Sequence, residues 1–127
     1  MLSKNLIGLL LVAGAAGTLA RYVLTSWLQQ RAGTAFPWGT FAVNAIGCFL
    51  FGLGAALAEE RGVLTPATRT VLLSGFLGAF TTYSTFAHDT AGLLARSQWA
   101  LAAANLLGQN AVGIALVFLG AAIVRAR

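Results

Sequence analysis

The residues with the most chemical potential are concentrated in one apolar stretch, Ser74-Gly75-Phe76-Leu77-Gly78-Ala79-Phe80-Thr81-Thr82-Tyr83-Ser84-Thr85-Phe86. Gly and β-branched Thr weaken a helix, and hydroxyls satisfy backbone groups that a break sets free. One reading is a helix broken near the middle of a membrane. The other is a packing face of small residues whose hydroxyls bond back to the preceding turn. A break would present a half-helix N-terminus, which attracts anions, and a half-helix C-terminus, whose free carbonyls bind cations. Phe76, Phe80, Tyr83 and Phe86 recur at helical spacing. Such a stripe packs a core, or it offers the positive ring edges to an anion stripped of water.

Amides lie in other apolar runs. Asn44 sits within Gly39-Thr40-Phe41-Ala42-Val43-Asn44-Ala45-Ile46-Gly47, where it can bond another helix or donate its amide protons to an anion in a pore. Asn105, Gln109 and Asn110 follow further on; Asn105 and Gln109 are four apart and share a helix face. Arg21, near the end of the first run, either snorkels to the interface or draws anions towards a vestibule. Asp89 is the single acid within an apolar run, beside His88, and no second His or Cys is placed to complete a metal site. Cys48 has no partner in the chain and reads as a small hydrophobe.

The elements that must position these groups follow from composition. Of 127 residues 58% are hydrophobic and 9% charged; a soluble domain carries about 25% charged residues, so the surface must face lipid. The net charge of +5 is scattered among apolar runs without a basic stripe, which argues against a nucleic-acid partner. A hydrocarbon core of roughly 30 Å takes about 20 residues of helix, and four stretches qualify: 6–27, 38–58, 70–94 and 99–124. The first run is too long for the apolar part of a signal peptide. The polar connections are 29–34, 59–69 and 96–98, and Trp27, Trp38 and Trp99 fall at span ends, where indole favours the interface. The expectation is one domain, 1–127, that is an all-α membrane protein of four transmembrane helices with a broken third. Lys4, Arg61, Arg69, Arg125 and Arg127 would share one side and Arg31 and Arg96 the other, a third cation there being Arg21 if it reaches that interface. This modest bias favours termini inside and is weak enough for insertion both ways.

Three strings together resemble the Fluc/CrcB family of fluoride channels. They are Gly14-Ala15-Ala16-Gly17-Thr18-Leu19-Ala20-Arg21-Tyr22; Gly39-Thr40 with Val43-Asn44, Gly47 and Phe51-Gly52; and, most specific, Gly75 to Phe86. The resemblance covers nearly the whole chain. It implies an antiparallel, dual-topology homodimer in the plasma membrane with two narrow pores. It also implies a structural sodium ion held at the dimer centre by backbone carbonyls matching Gly78 and Thr81 of both subunits. The family's pore aromatics match Tyr83 and Phe86, its pore amide Asn44, and its second-helix hydroxyl Thr40. Ser84 and Thr85 fall among the hydroxyls near the ion path, and Arg21 at a vestibule. The chain departs from the family in carrying Tyr83 for Phe, Asp89 for Glu, and Asn105 and Gln109 where Tyr and Ser are usual.

The implied mechanism is passive export. Fluoride enters acidified cells as neutral HF, dissociates inside, and leaves through the channel, so that the cell escapes its toxicity. No enzyme chemistry is required. Two other classes fit the sequence less well. A proton-coupled multidrug exporter needs a carboxylate in the first span, which has none. A non-transporting assembly subunit explains the small residues but not hydroxyls set beside aligned aromatics.

Overall fold

The computed structural model describes residues 3–126; Arg127, counted above among the cations of one side, lies outside the described residues. Ser3 starts the first helix by accepting from the Leu6 N–H at 3.2 Å, as N-cap hydroxyls do. Helix α1 then runs Lys4–Ala32, 29 residues, and stops where Gly33 takes φ 86°. Helix α2 runs Trp38–Glu59 and α6 runs Trp99–Arg125. Between these lies a composite element. A short α3, Pro66–Arg69, continues through π-helical turns at Thr70–Leu77 into α4, Gly78–Phe80; after Thr81 and Thr82, α5 spans Tyr83–Ala95. Among the described residues every regular element is a helix, and α1, α2 and α6 are each long and apolar enough to cross a membrane.

Two boundaries differ from the expected ones. The segment 29–34 was expected as a connection, yet α1 continues through Gln29 to Ala32. The cause is the Gln29 side chain. Its amide donates to the carbonyls of Gly33 and of Phe36, the latter at 2.9 Å, and its Oε1 accepts from the Gly39 N–H at 3.1 Å. One residue on the last turn of α1 thus ties the turn to the start of α2. The third element was expected from Thr70 and begins at Pro66. Thr65 caps it through the Thr68 N–H at 3.2 Å, and proline is pre-organised for the first helical position.

Helix pairing relies on missing side chains. The most extensive packing joins α2 to α6. A Cβ at Gly52 would run into the backbone of Val117, and one at Gly120 into that of Phe49 and Leu53. On the other flank, Gly17 of α1 lies against the Phe76 carbonyl, and Gly39 of α2 against Thr25. Between apolar segments in lipid, such close backbone approach is the main attraction available. Val43, Leu73, Leu77 and Phe80 form the buried core between α2 and the π-helical turns.

Each end of the helix bundle has its own chemistry. At one, Arg69 meets Glu59 at 2.6 Å, Arg125 meets Glu60 at 2.6 Å, and Arg61 donates to the Val124 carbonyl at 2.7 Å. At the other lie Trp27, Trp38 and Trp99, each about half exposed or more, with the Arg31 guanidinium 4.7 Å from the Trp27 ring centre.

The glycine contacts give a prediction. Gly120→Ala should force α6 off Phe49 and lower stability in detergent by about 1–3 kcal/mol, the usual cost of overpacking. Gly8→Ala, with open space around its Cβ, should leave unfolding unchanged. Thermal unfolding of the two purified variants checks the contrast.

Candidate functional site

The composite third element leaves helical geometry at two residues, Thr81 (φ −85°, ψ 159°) and Thr82 (φ −151°, ψ 109°). An interruption strips backbone groups of their helical partners. The sequence supplies replacements from several directions. The Thr82 N–H donates to Asn44 Oδ1 at 2.8 Å, and Asn44 Nδ2 donates back to the Thr82 carbonyl at 3.1 Å. Thr82 Oγ1 caps α5 through the Thr85 N–H at 3.2 Å and donates to Thr85 Oγ1 at 2.9 Å. Thr81 Oγ1 bonds back to the Leu77 carbonyl at 3.0 Å. Among the described residues, no hydrogen bond is made to the Thr81 carbonyl.

Helix α2 addresses this element along one face, residues 40, 44 and 47, spaced so that all point the same way. Gly47 leaves room for the Thr81 methyl, Asn44 holds Thr82, and Thr40 donates its hydroxyl to Asp89 Oδ2 at 2.8 Å. Thr40 is buried, so that proton faces a carboxylate rather than open space. His88 beside Asp89 points outwards, with 89% of its side chain exposed. From α6, Gln109 Oε1 accepts the second Asn44 amide proton at 2.8 Å, and Gln109 Nε2 donates to Asn105 Oδ1 at 2.9 Å. Of the two roles open to Asn44, the structure shows the bond to other helices: each of its amide protons has a partner within the chain. One goes to the exposed Thr82 carbonyl and the other to the Gln109 carboxamide of α6.

A cavity of about 210 Å³ opens at the interruption, lined by Asn44, Thr81, Thr82, Tyr83, Phe86, Gln109 and Asn110. The Tyr83 and Phe86 rings are tilted at 56° with centres 5.6 Å apart. Tyr83 is 79% exposed and Phe86 is buried. Phe76 and Phe80 stack together in the core and take no part here, so the four-membered aromatic stripe divides into a packing pair and a cavity pair. The cavity sits at the N-terminus of α5, where a helix carries partial positive charge. Towards the tryptophan end, a second cavity of about 350 Å³ takes in Thr40, Thr85, Asp89, Gln29 and Arg96. A third, of about 330 Å³, includes Arg21, Thr40, Thr82 and Thr85. The Arg21 Nε is buried there without a partner.

The structure thus gathers Asn44, Thr81, Tyr83 and Phe86 at one cavity and Thr40, Thr85 and Arg21 at another. Ser84 stands apart, exposed, its hydroxyl 3.4 Å from Thr82 Oγ1. Gly78 lies exposed on the turn before the interruption, where helix carbonyls lack intrahelical donors. Together with the unpartnered Thr81 carbonyl, this donor set of hard oxygens fits a sodium ion. Gln29 and Thr90 were missed by sequence reasoning. The available signal was a polar side chain with no role inside or beside an apolar run, which in lipid must find a partner.

A family model described as CrcB-like protein, Camphor Resistance (CrcB), matches residues 8–121. A Nitrosococcus oceani protein named fluoride-specific ion channel FluC is 54% identical over 109 residues, covering 86% of this chain and 87% of its own length. Proteins of the same name from Solidesulfovibrio magneticus and Maridesulfovibrio salexigens are 48% identical over 125 residues and 46% over 112. They cover 98% and 88% of this chain and 98% and 89% of their own lengths.

The Asn44 geometry generates a prediction. In Asn44→Asp, an acceptor-only carboxylate faces the Thr82 carbonyl and Gln109 Oε1, which both need donors. Stability should fall by about 1–3 kcal/mol, the cost of leaving a buried polar group unpaired. Unfolding of the variant in detergent measures it, and an unchanged midpoint would refute the brace.

Proposed function

The chain belongs to the CrcB family, and from that premise we propose that it is a fluoride-selective channel that lets cytoplasmic fluoride leave the cell passively. Relatives bearing the fluoride-channel name cover most of the chain at 46–54% identity. The observation that carries the reading is the cavity at the helix interruption. There the N-terminus of α5, the rings of Tyr83 and Phe86, and the Gln109 amide line one small space. Each offers the positive end of a dipole, and none offers a full charge that would hold the ion too tightly to release it. A narrow, poorly hydrated path of this kind favours the smallest halide. Thr85 lines the adjoining cavities with Thr40, which tethers Asp89, and Arg21 would provide the positive vestibule; Ser84, exposed on the first turn of α5, would meet the ion path only from outside this cavity. The reading describes a conduit, not a catalyst.

In the same reading, the element 66–95 makes a fourth membrane crossing, and two chains associate antiparallel in the plasma membrane. Two features support the pairing. Gly78 and Tyr83 are exposed in the single chain although they flank the interruption; in lipid, such backbone is tolerated only where protein or a water-filled cavity covers it. All three Trp also lie at one end, so an antiparallel pair would anchor both interfaces. Gly78 and Thr81 carbonyls from both chains would hold the sodium ion. It would supply a fixed positive charge that ties the two interruptions together.

Efflux from liposomes, followed with a fluoride electrode, tests the function; an assembly subunit or a cation exporter would release no fluoride. Tyr83→Phe should keep a selective, working channel, because the ring edge remains. Phe86→Leu should cut flux about tenfold, close to the rate equivalent of one edge interaction. Loss of most flux in Tyr83→Phe would instead assign the role to the hydroxyl. For assembly, a C-terminal tag should be labelled from both faces of the membrane; labelling from one face alone would sink the antiparallel pair.

A further inference from the structure

Four side chains form a hydrogen-bonded chain that leaves the interrupted helix and returns to it. The Thr82 N–H donates to Asn44 Oδ1, Asn44 Nδ2 to Gln109 Oε1, and Gln109 Nε2 to Asn105 Oδ1. Asn105 Nδ2 then donates to Thr90 Oγ1 at 2.9 Å, and Thr90 Oγ1 to the Phe86 carbonyl at 2.8 Å. Asn105 is wholly buried and Thr90 nearly so. The two ends cannot be reversed. A backbone N–H only donates and a backbone carbonyl only accepts. Because the single Thr90 proton goes to Phe86, its oxygen must accept from Asn105. That sets which end of the Asn105 amide faces Gln109, hence which end of Gln109 faces Asn44. The result is that Asn44 must present its nitrogen to Gln109, leaving its oxygen for the Thr82 N–H.

We propose that Thr90, Asn105 and Gln109 are positioning residues that orient the Asn44 amide and thereby hold Thr82, and with it the cavity, in one conformation. Thr90 does not itself line the cavity, and it reaches Thr82 only through this chain. An amide turned over at any link would set oxygen against oxygen and nitrogen against nitrogen, and in a poorly hydrated interior each mismatch is costly. The chain also couples opposite ends of the first turn of α5: Thr82 at its cap and Phe86, whose ring lines the cavity. The transport part of the proposal rests on the fluoride-channel reading; the conformational part does not.

Paired substitutions at Thr90 test it, because chain and packing predict opposite orders. Thr90→Val keeps the shape and loses the hydroxyl; Thr90→Ser keeps the hydroxyl and loses a methyl. Fluoride efflux and hydrogen exchange of the Thr82 N–H are read for both. In Thr90→Val, flux and Thr82 protection should each fall about tenfold, the scale of one buried hydrogen bond; Thr90→Ser should stay near wild type in both. Wild-type behaviour in Thr90→Val, or a Thr90→Ser variant as impaired as Thr90→Val, overturns the proposal in favour of packing. If Thr90→Val does not fold, Gln109→Met removes the link to Asn44 at similar volume, and unchanged Thr82 exchange there overturns it equally. A wild-type protein that releases no fluoride defeats the channel reading, while the exchange data still decide the positioning role.

Discussion

Everything at the centre of this molecule depends on one constraint: backbone exposed in an apolar interior must be given partners by the protein itself. Unfolding two residues of a helix in water costs little, because water replaces the lost bonds. Inside a membrane each orphaned group costs several kcal/mol, so an interruption persists only where neighbours complete it. Here the Asn44 carboxamide does so with the economy of a peptide group, accepting from the Thr82 N–H and donating to its carbonyl. It acts as a short piece of substitute backbone supplied by α2. The threonines complete the work locally, Thr81 by bonding back to Leu77 and Thr82 by capping α5.

That arrangement explains the rest of the architecture. For Asn44 to reach Thr82, α2 must approach closely, and Gly47 at the Thr81 methyl allows it. For α2 to stay in place, it must be held from behind, which the Gly52 and Gly120 contacts with α6 achieve. The polar chain through Gln109 and Asn105 adds direction to that packing, since van der Waals contact does not distinguish the two ends of an amide and hydrogen bonds do. Close packing and polar matching are therefore two parts of one device, which fixes both the position and the orientation of groups around a small cavity.

Residues 74–86, read from sequence as a packing face or an interrupted helix, divide in the structure into two stretches with different neighbours. Phe76 and Phe80 stack in the core, and Gly75 packs against α1, whereas from Thr81 onwards the same pattern serves a cavity. Periodicity could not separate them, because both aromatic pairs keep helical spacing and differ only in what lies opposite. Likewise, Asn44 was visible as a polar group needing a partner. The backbone of Thr82, 38 residues away, was not visible as that partner.

The sequence alone determined the solvent and the elements. Scarce charge and long apolar runs leave lipid as the surface environment, tryptophans and short polar segments mark the helix ends, and the Gly-Thr-Ser cluster marks where helix geometry is weakest. These are sums over local composition and need no knowledge of neighbours. Tertiary structure decided which polar atoms remain free for a ligand. Asn44 has the chemistry of an anion donor and spends both protons on its own chain, Thr40 gives its proton to Asp89, and Arg21 keeps a buried nitrogen unpaired. A residue's type fixes how many hydrogen bonds it can make. Which of them are already made depends on groups brought close by packing, and that is a property of three-dimensional proximity, not of order along the chain.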